Sequence, residues 1–234
     1  MILKNNEKNI NKLQKVYYRR KVLKKDQLYE WYNLDVHKNI FYHNTILAKY
    51  FKKIFGNDLS KIKVLDVGCG DGTFIRKLIE WGFKPQNIVG IDILDYRIKQ
   101  CKEKTNKNVN FYLSNINSKF KNYDLVVANT VFTSILEDGN RKKFANNIYN
   151  AVKKNGWILI FDFRYNNPFN SNVRKITPKN LKSFWPKLKI CYHSYLILIP
   201  FISRKISFLP HIIYDFLIFL FPFLKSHFIF FGKK

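Results

Sequence analysis

The run Val64-Leu65-Asp66-Val67-Gly68-Cys69-Gly70-Asp71-Gly72-Thr73 constrains this chain more than any other stretch. Apolar residues lead into a turn holding three glycines, and helical spacing resumes at Thr73. Glycines in such a place permit a tight turn and let backbone approach a ligand with no Cβ in the way. The pattern is GxGxG, because Thr73 stands where a GxGxxG dinucleotide fingerprint has its last glycine. A ligand without a pyrophosphate has no need of that phosphate cradle. Asp66, at the strand end, is placed to face a cationic group such as an amino-acid ammonium. Gly90-Ile91-Asp92 closes the next apolar run with a carboxylate that can accept from both hydroxyls of a ribose. Asp92 alone would serve a nicotinamide dinucleotide equally well. Asp66, GxGxG and Asp92 together favour a nucleoside that carries an amino acid.

The texture around this turn alternates strand and helix patterns, which predicts an α/β fold on a parallel sheet. Strands are expected at 62–67, 88–93, 109–113, 123–128 and 157–163. Helices are expected at 73–81, 95–104 and 138–152, the last stopped by Asn155-Gly156. Before Lys61, apolar residues at helical spacing predict an amphipathic helix over Ile10–Leu23 and another over 39–55. The chain therefore divides into a basic helical cap at 1–57 and an α/β domain at 58–234 with an aromatic-rich C-terminal segment.

From Tyr195 to Phe231 the chain is rich in Phe, Ile and Leu. A spanning helix needs about 20 apolar residues with few interruptions. The best window, Ile206–Leu224, contains Pro210, Asp215 and Pro222, so elements closing the sheet are expected there, with an exposed apolar face as the second reading. The chain holds 42 Lys plus Arg against 16 Asp plus Glu, a net charge of +26 that attracts polyanions or anionic lipid. Its joint richness in Lys, Asn, Ile, Phe and Tyr is also what AT-rich codons produce. Cys69, Cys101 and Cys191 form no CxxC pair and the histidines no HExxH spacing, so no metal site is expected. Without an apolar leader run near Met1, a cytoplasmic setting is expected, extending to peripheral contact with an anionic membrane.

The series VLDVGCGDGT, VGIDIL, YDLVVANTVFTSI and VKKNGWILIFDF, from Lys61 to about Phe163, resembles the ordered motifs of class I S-adenosylmethionine-dependent methyltransferases. YYRRKVL, FDFRYNNPFNSNVRKIT and the tail FPFLKSHFIFFGKK are similar to a narrower bacterial group of such enzymes, often encoded beside surface-polysaccharide or secondary-metabolite genes. The resemblance implies a Rossmann-like sheet of seven strands with N-terminal helices, the last strand antiparallel and placed at His227–Phe231. It implies S-adenosyl-L-methionine as cofactor. Gly68, Gly70 and Gly72 would then pass close to its methionyl part, and Asp66 would help hold the amino group. Asp92 would bind ribose, with Ile93 packing on the adenine. Asn115 stands where the family often has an acid for the adenine amino group, followed by Ile116, and Asn129 would lie near the methyl group.

Transfer of a methyl group from a sulfonium needs alignment and exclusion of water, and a base only where the acceptor must lose a proton. The acceptor-side candidates are Asp162 as base, Tyr165 as proton relay or stacking platform, and Arg164 and Asn166 as substrate contacts. A polar loop closed by its own hydrogen bonds explains the same residues equally well. Tyr18 and Arg19 form a second cluster, either a lid or a solvated basic helix face. Cys69 reads as a small residue in a glycine turn, not a nucleophile. The expected acceptor is a small molecule or glycan, lipid-linked acceptors included, methylated at O or N. An RNA methyltransferase and a non-catalytic cofactor-binding subunit remain as alternatives. Charge favours RNA, but no RNA-binding module is appended and no Asn-Pro-Pro-Tyr type tetrapeptide follows the fourth strand.

Overall fold

The computed structural model describes residues 32–168 and 170–234, together with Lys15. The expected helix at Ile10–Leu23, with Tyr18 and Arg19, lies outside the described residues. The elements are α1 (Leu34–Phe55), β1 (Val64–Val67), α2 (Thr73–Glu80), β2 (Ile88–Asp92), α3 (Asp95–Lys104), β3 (Asn110–Leu113) and β4 (Tyr123–Asn129). They continue as α4 (Asp138–Ala151), β5 (Val152–Phe163), α5 (Pro178–Phe184), β6 (Ile190–Leu198), α6 (Pro200–Lys205), α7 (His211–Leu220) and β7 (Lys225–Lys233).

The seven strands form one sheet in the order β3-β2-β1-β4-β5-β7-β6. β1 pairs in parallel with β2 and β4, β2 with β3, and β4 with β5. β7 runs antiparallel: the Asn155 amide donates to the Lys234 carbonyl at 3.1 Å, and the Lys234 amide returns a bond to the Gly156 carbonyl at 3.0 Å. This is the Rossmann-like sheet of seven strands that the motif series implies. The strand order reverses between β1 and β4, so a crevice opens at their carboxyl ends, where open α/β sheets bind ligands.

Sequence and packing agree on why these helices sit where they do. α2 turns Phe74, Ile75 and Leu78 inward, three residues of one helical face. α4 buries Phe144, Ala145, Ile148 and Ala151. They pack with Leu65, Val126, Ile158 and Phe230 in one apolar cluster of the sheet domain. α5 starts on a capping box, with Thr177 Oγ1 accepting from the Asn180 amide at 3.2 Å and Asn180 Oδ1 accepting from the Thr177 amide at 3.1 Å.

The described residues separate into two compact units, 49–194 with 228–234, and those up to Ala48 with 195–227. The sequence suggested a single break at 57/58. The difference arises from contacts across more than a hundred residues of sequence, which local patterning does not show. In the smaller unit Tyr214 stacks on Tyr42 at 4.8 Å, and Arg204 Nε lies 3.5 Å from Asp35 Oδ2. Among the described residues no helix is long and apolar enough to cross a membrane. β6 and β7 join the sheet, as expected of the tail, while α7 leaves a row of apolar side chains exposed.

Candidate active site

β1 delivers Asp66 and then the glycine turn to the crevice. The Gly68 and Cys69 amides both donate to the Ile91 carbonyl, at 2.8 and 3.0 Å, which clamps the turn to β2. Gly68 (φ 73°) and Gly70 (φ 59°) are left-handed, a region that favours glycine. Their surroundings differ. A Cβ on Gly68 would meet Val131 Cγ2 at 2.6 Å, whereas a Cβ on Gly70 would meet nothing within 4 Å. Gly68 is thus fixed by packing, and Gly70 borders open space. Gly72, also left-handed, caps α2.

Asp92 ends β2 and fixes the turn from the other side. Its Oδ2 accepts from the Gly70 amide at 3.0 Å and its Oδ1 from the Leu94 amide at 2.9 Å. Burial raises its carboxyl above the usual range, and the two amides oppose that rise. Asp66 is different in kind. It is 1% exposed, and neither carboxylate oxygen has a hydrogen-bond partner among the described residues. Burial first, and the charge of Asp92 second, push it up to about 7. A buried carboxylate with no donor among the described residues is costly, which holds Asp66 toward its neutral form and suits it to accept from a cationic donor.

A second orphan lies on the neighbouring strand. Asn129 ends β4, and its side-chain oxygen is buried with no partner among the described residues. The following residue, Thr130, is left-handed (φ 55°) and its amide donates to the Phe161 carbonyl at 2.7 Å, turning the chain sharply beyond β4. On the other flank, Ile93 is half-buried after β2 and Asn115 is exposed after β3. Asn115 Oδ1 accepts from the Ile116 amide at 2.8 Å, and the Ile116 side chain is core. Cys69 Sγ lies 3.9 Å from Cys101 Sγ, which donates to the Gly70 carbonyl at 3.2 Å. The Cys101 hydrogen bond and then burial hold the Cys69 thiol far above its usual range, so it is protonated and no nucleophile.

The end of β5 and the loop after it differ from the sequence expectation at one position. Asp162 was expected to face the acceptor, yet it is 0% exposed. Thr133 Oγ1 donates to its Oδ1 at 2.7 Å, and the Thr133 and Phe163 amides donate at 3.3 and 2.9 Å. Burial pushes it up to about 6 against those donors. Arg164 donates to the Tyr165 hydroxyl, and its guanidinium lies 4.6 Å from the Tyr165 ring centre. Tyr165 itself is exposed, while Asn166 Oδ1 accepts from the Lys175 amide at 2.9 Å.

Sequence reasoning missed two members of this assembly. Thr133 is one. The other is Arg141, 3% exposed, which donates to the carbonyls of Ile135 (2.6 Å), Lys175 (3.1 Å) and Arg174 (2.6 Å). It thereby ties the segment after β4 to the segment after β5. A signal existed: Arg141 occupies the slot i before Phe144, Ala145 and Ile148 at i+3, i+4 and i+7, so a cation sits on the apolar stripe of α4.

Residues 58–193 match a family model described as a methyltransferase domain. Among curated proteins, the chain is 32% identical over 141 residues to the ubiquinone biosynthesis O-methyltransferase of Rickettsia felis, covering 56% of this chain and 55% of that protein. It is 29% identical over 164 residues to the protein of the same name from Rickettsia typhi, covering 66% and 60%. The chain thus spans little more than half the length of these relatives. Among solved structures it is similar to magnesium protoporphyrin IX methyltransferase of Synechocystis PCC 6803 with bound S-adenosylhomocysteine, at a TM-score of 0.65 and 10% identity, covering 97% of this chain and 99% of that one. A methyltransferase of Archaeoglobus fulgidus gives 0.57 at 17% identity, covering 81% and 94%. With the family model over more than half its length and the fold shared with these enzymes, the chain belongs to the class I S-adenosylmethionine-dependent methyltransferases.

Proposed function

We propose that this chain transfers a methyl group from S-adenosylmethionine to a hydroxyl oxygen of a small molecule. The observation that carries the reading is Asp66, a buried carboxylate with no donor among the described residues, four positions before Gly70, whose missing Cβ would meet nothing within 4 Å. The residues present fit the cofactor. Asp66 accepts from its ammonium, and Gly70 lets the backbone approach its methionyl part. Both Asp92 oxygens already accept from backbone amides, and the lone-pair capacity that remains would serve a ribose hydroxyl. Ile93 supplies an apolar surface for adenine, and Asn115 with Ile116 borders its edge. Asn129, whose side-chain oxygen has no partner among the described residues, would lie near the transferring end. When bound, the cofactor supplies an activated methyl electrophile on a sulfonium.

On the acceptor side the chain's own residues align the nucleophile and exclude water. Tyr165, exposed and held by Arg164, would relay the acceptor proton, and Asn166 ties its loop to Lys175. Asp162 acts as a positioning residue, since it reaches the acceptor only through Thr133 and the loop it anchors. A hydroxyl acceptor is supported by the O-methyltransferase names of the curated relatives, which favour it over a glycan nitrogen or an RNA base. Work beside an anionic membrane belongs to the same reading, supported by 42 basic against 16 acidic residues.

Titration calorimetry tests the cofactor half: S-adenosylmethionine and its demethylated product should bind, and binding of NADH alone overturns the reading. For the acceptor half, Tyr165→Phe should lower kcat by about a hundredfold, the lower end of the usual scale for losing a proton-transfer group. Cofactor affinity should stay within about twofold. Asp162→Asn should lower kcat less and also reduce thermal stability, because one of its two acceptor oxygens becomes an NH2 donor set against the donors around it. Wild-type rates in both variants would return the loop to a purely structural role.

A further inference from the structure

We propose that the outward face of α7, flanked by Phe201, Phe208 and Phe223, is a docking surface for an anionic lipid bilayer, lying in the interface without crossing it. This surface rests on the reading that the chain works beside a membrane, and it names the side chains that would touch the lipid.

The setting of α7 about its own axis is fixed from within its unit. Tyr214 is fully buried, stacks on Tyr42, accepts from the Leu198 amide at 2.6 Å and lies 3.2 Å from Asn39 Oδ1. At 100° per residue, Ile212, Phe216 and Phe219 then fall on the side opposite Tyr214. All three point out, and Ile212 and Phe219 are 71% and 80% exposed. The one acid of the helix, Asp215, sits at its flank and accepts from the Tyr42 hydroxyl, so it does not wet that face. A water-facing helix carries its polar residues outward; here the outward row is Ile and Phe. Phe208 (75% exposed) and Phe223 (60% exposed) extend the patch at both ends of the helix. A row of exposed Ile and Phe along one helix face marks a partner surface more than ordinary surface scatter does.

Length and charge decide the occupant. Ten residues of helix span about 15 Å, half of a bilayer core of about 30 Å, and Pro210 and Pro222 bracket it. A short apolar-faced helix of this size lies in the interface plane. Lys205 Nζ sits 4.3 Å from the Phe201 ring centre, so a cation stands against one of the flanking aromatic rings. The net charge of +26 draws the molecule to an anionic surface and opposes the other candidate, a second copy bearing the same charge.

The test is co-sedimentation of the full chain with mixed phosphatidylcholine–phosphatidylglycerol vesicles at low salt. The wild type should bind these, bind pure phosphatidylcholine less, and release in high salt. The double variant Phe216→Ser, Phe219→Ser keeps the charge and alters exposed positions only, so it should still bind S-adenosylmethionine. Its vesicle partition should fall by at least about tenfold. Equal partition of variant and wild type would overturn the α7 surface while leaving the membrane reading in place. Failure of the wild type to bind at low salt would remove both. A wild-type dimer in analytical ultracentrifugation that the double variant dissociates, with no vesicle binding, would make the occupant a second copy and overturn the proposal.

Discussion

Asp92→Ala is expected to weaken binding of S-adenosylmethionine by more than about tenfold, with NADH binding absent in both proteins. A hydrogen bond to a charged group contributes about 1.5–3 kcal/mol, and about 1.4 kcal/mol is a factor of ten in affinity. The substitution removes the carboxylate proposed to receive two such bonds. It also releases the Gly70 and Leu94 amides from their acceptor, loosening the turn that faces the ligand. One effect runs the other way. Asp92 helps to raise the Asp66 carboxyl, so its loss makes Asp66 easier to ionise. Measuring at pH 8 or above removes that compensation, because Asp66 is then ionised in both proteins. Asp92→Asn should fall between, since an amide keeps one acceptor and presents a donor where the ribose needs an acceptor. Unchanged calorimetric affinity in the alanine variant would remove Asp92 from the cofactor site.

The sequence-level reading of the sheet domain was strongest where order is local. The glycine turn, α3 at Asp95–Lys104 and the strand ends at Asp92 and Asn129 rest on near-neighbour patterns, and the structure places them within a residue or so. β5 begins at Val152, five residues before the strand expected from Trp157, because Asn155 and Gly156 are stitched to Lys234 far along the chain. That pairing has no local signature. The same holds for Asp162: its residue type and position suggested a base, while its burial depends on Thr133, nearly thirty residues away. β6 was implied by the seven-strand resemblance but received no bounds from the sequence, since its alternation is blurred by Tyr192, His193 and Tyr195. In the tail, composition alone could not decide between core and exposed aromatics. Tyr214 decides it for α7 by turning inward and leaving its neighbours outside.

Asp66→Asn is expected to stabilise the cofactor-free protein while damaging the site. With the folded carboxyl pushed up to about 7 and an unfolded value near 3.9, the folded state holds a proton that the unfolded state releases between those two values. Stability therefore falls as pH rises from about 4 to about 7 and is level above, where the charge stays buried without a donor. A shift of this size is on the order of a few kcal/mol. Asparagine carries no charge and escapes that cost. Its melting temperature at pH 8 should exceed wild type by several degrees, at about 2–4 °C per kcal/mol for a domain of this size. The gain should vanish near pH 4, where wild-type Asp66 is protonated. Asp162, pushed up to about 6, titrates in the same window, but it is present in both proteins and cancels in the difference. Cofactor affinity should move oppositely. In wild type it should rise about tenfold per pH unit below 7 and decline again above about 8, because the pair needs both an ionised Asp66 and a protonated α-amino group. In Asp66→Asn it should be weaker by at least about tenfold at pH 8 and lack that component of the pH dependence. A variant that melts below wild type at pH 8, or binds the cofactor as tightly, would show that Asp66 is not the vacant acceptor around which this site is built.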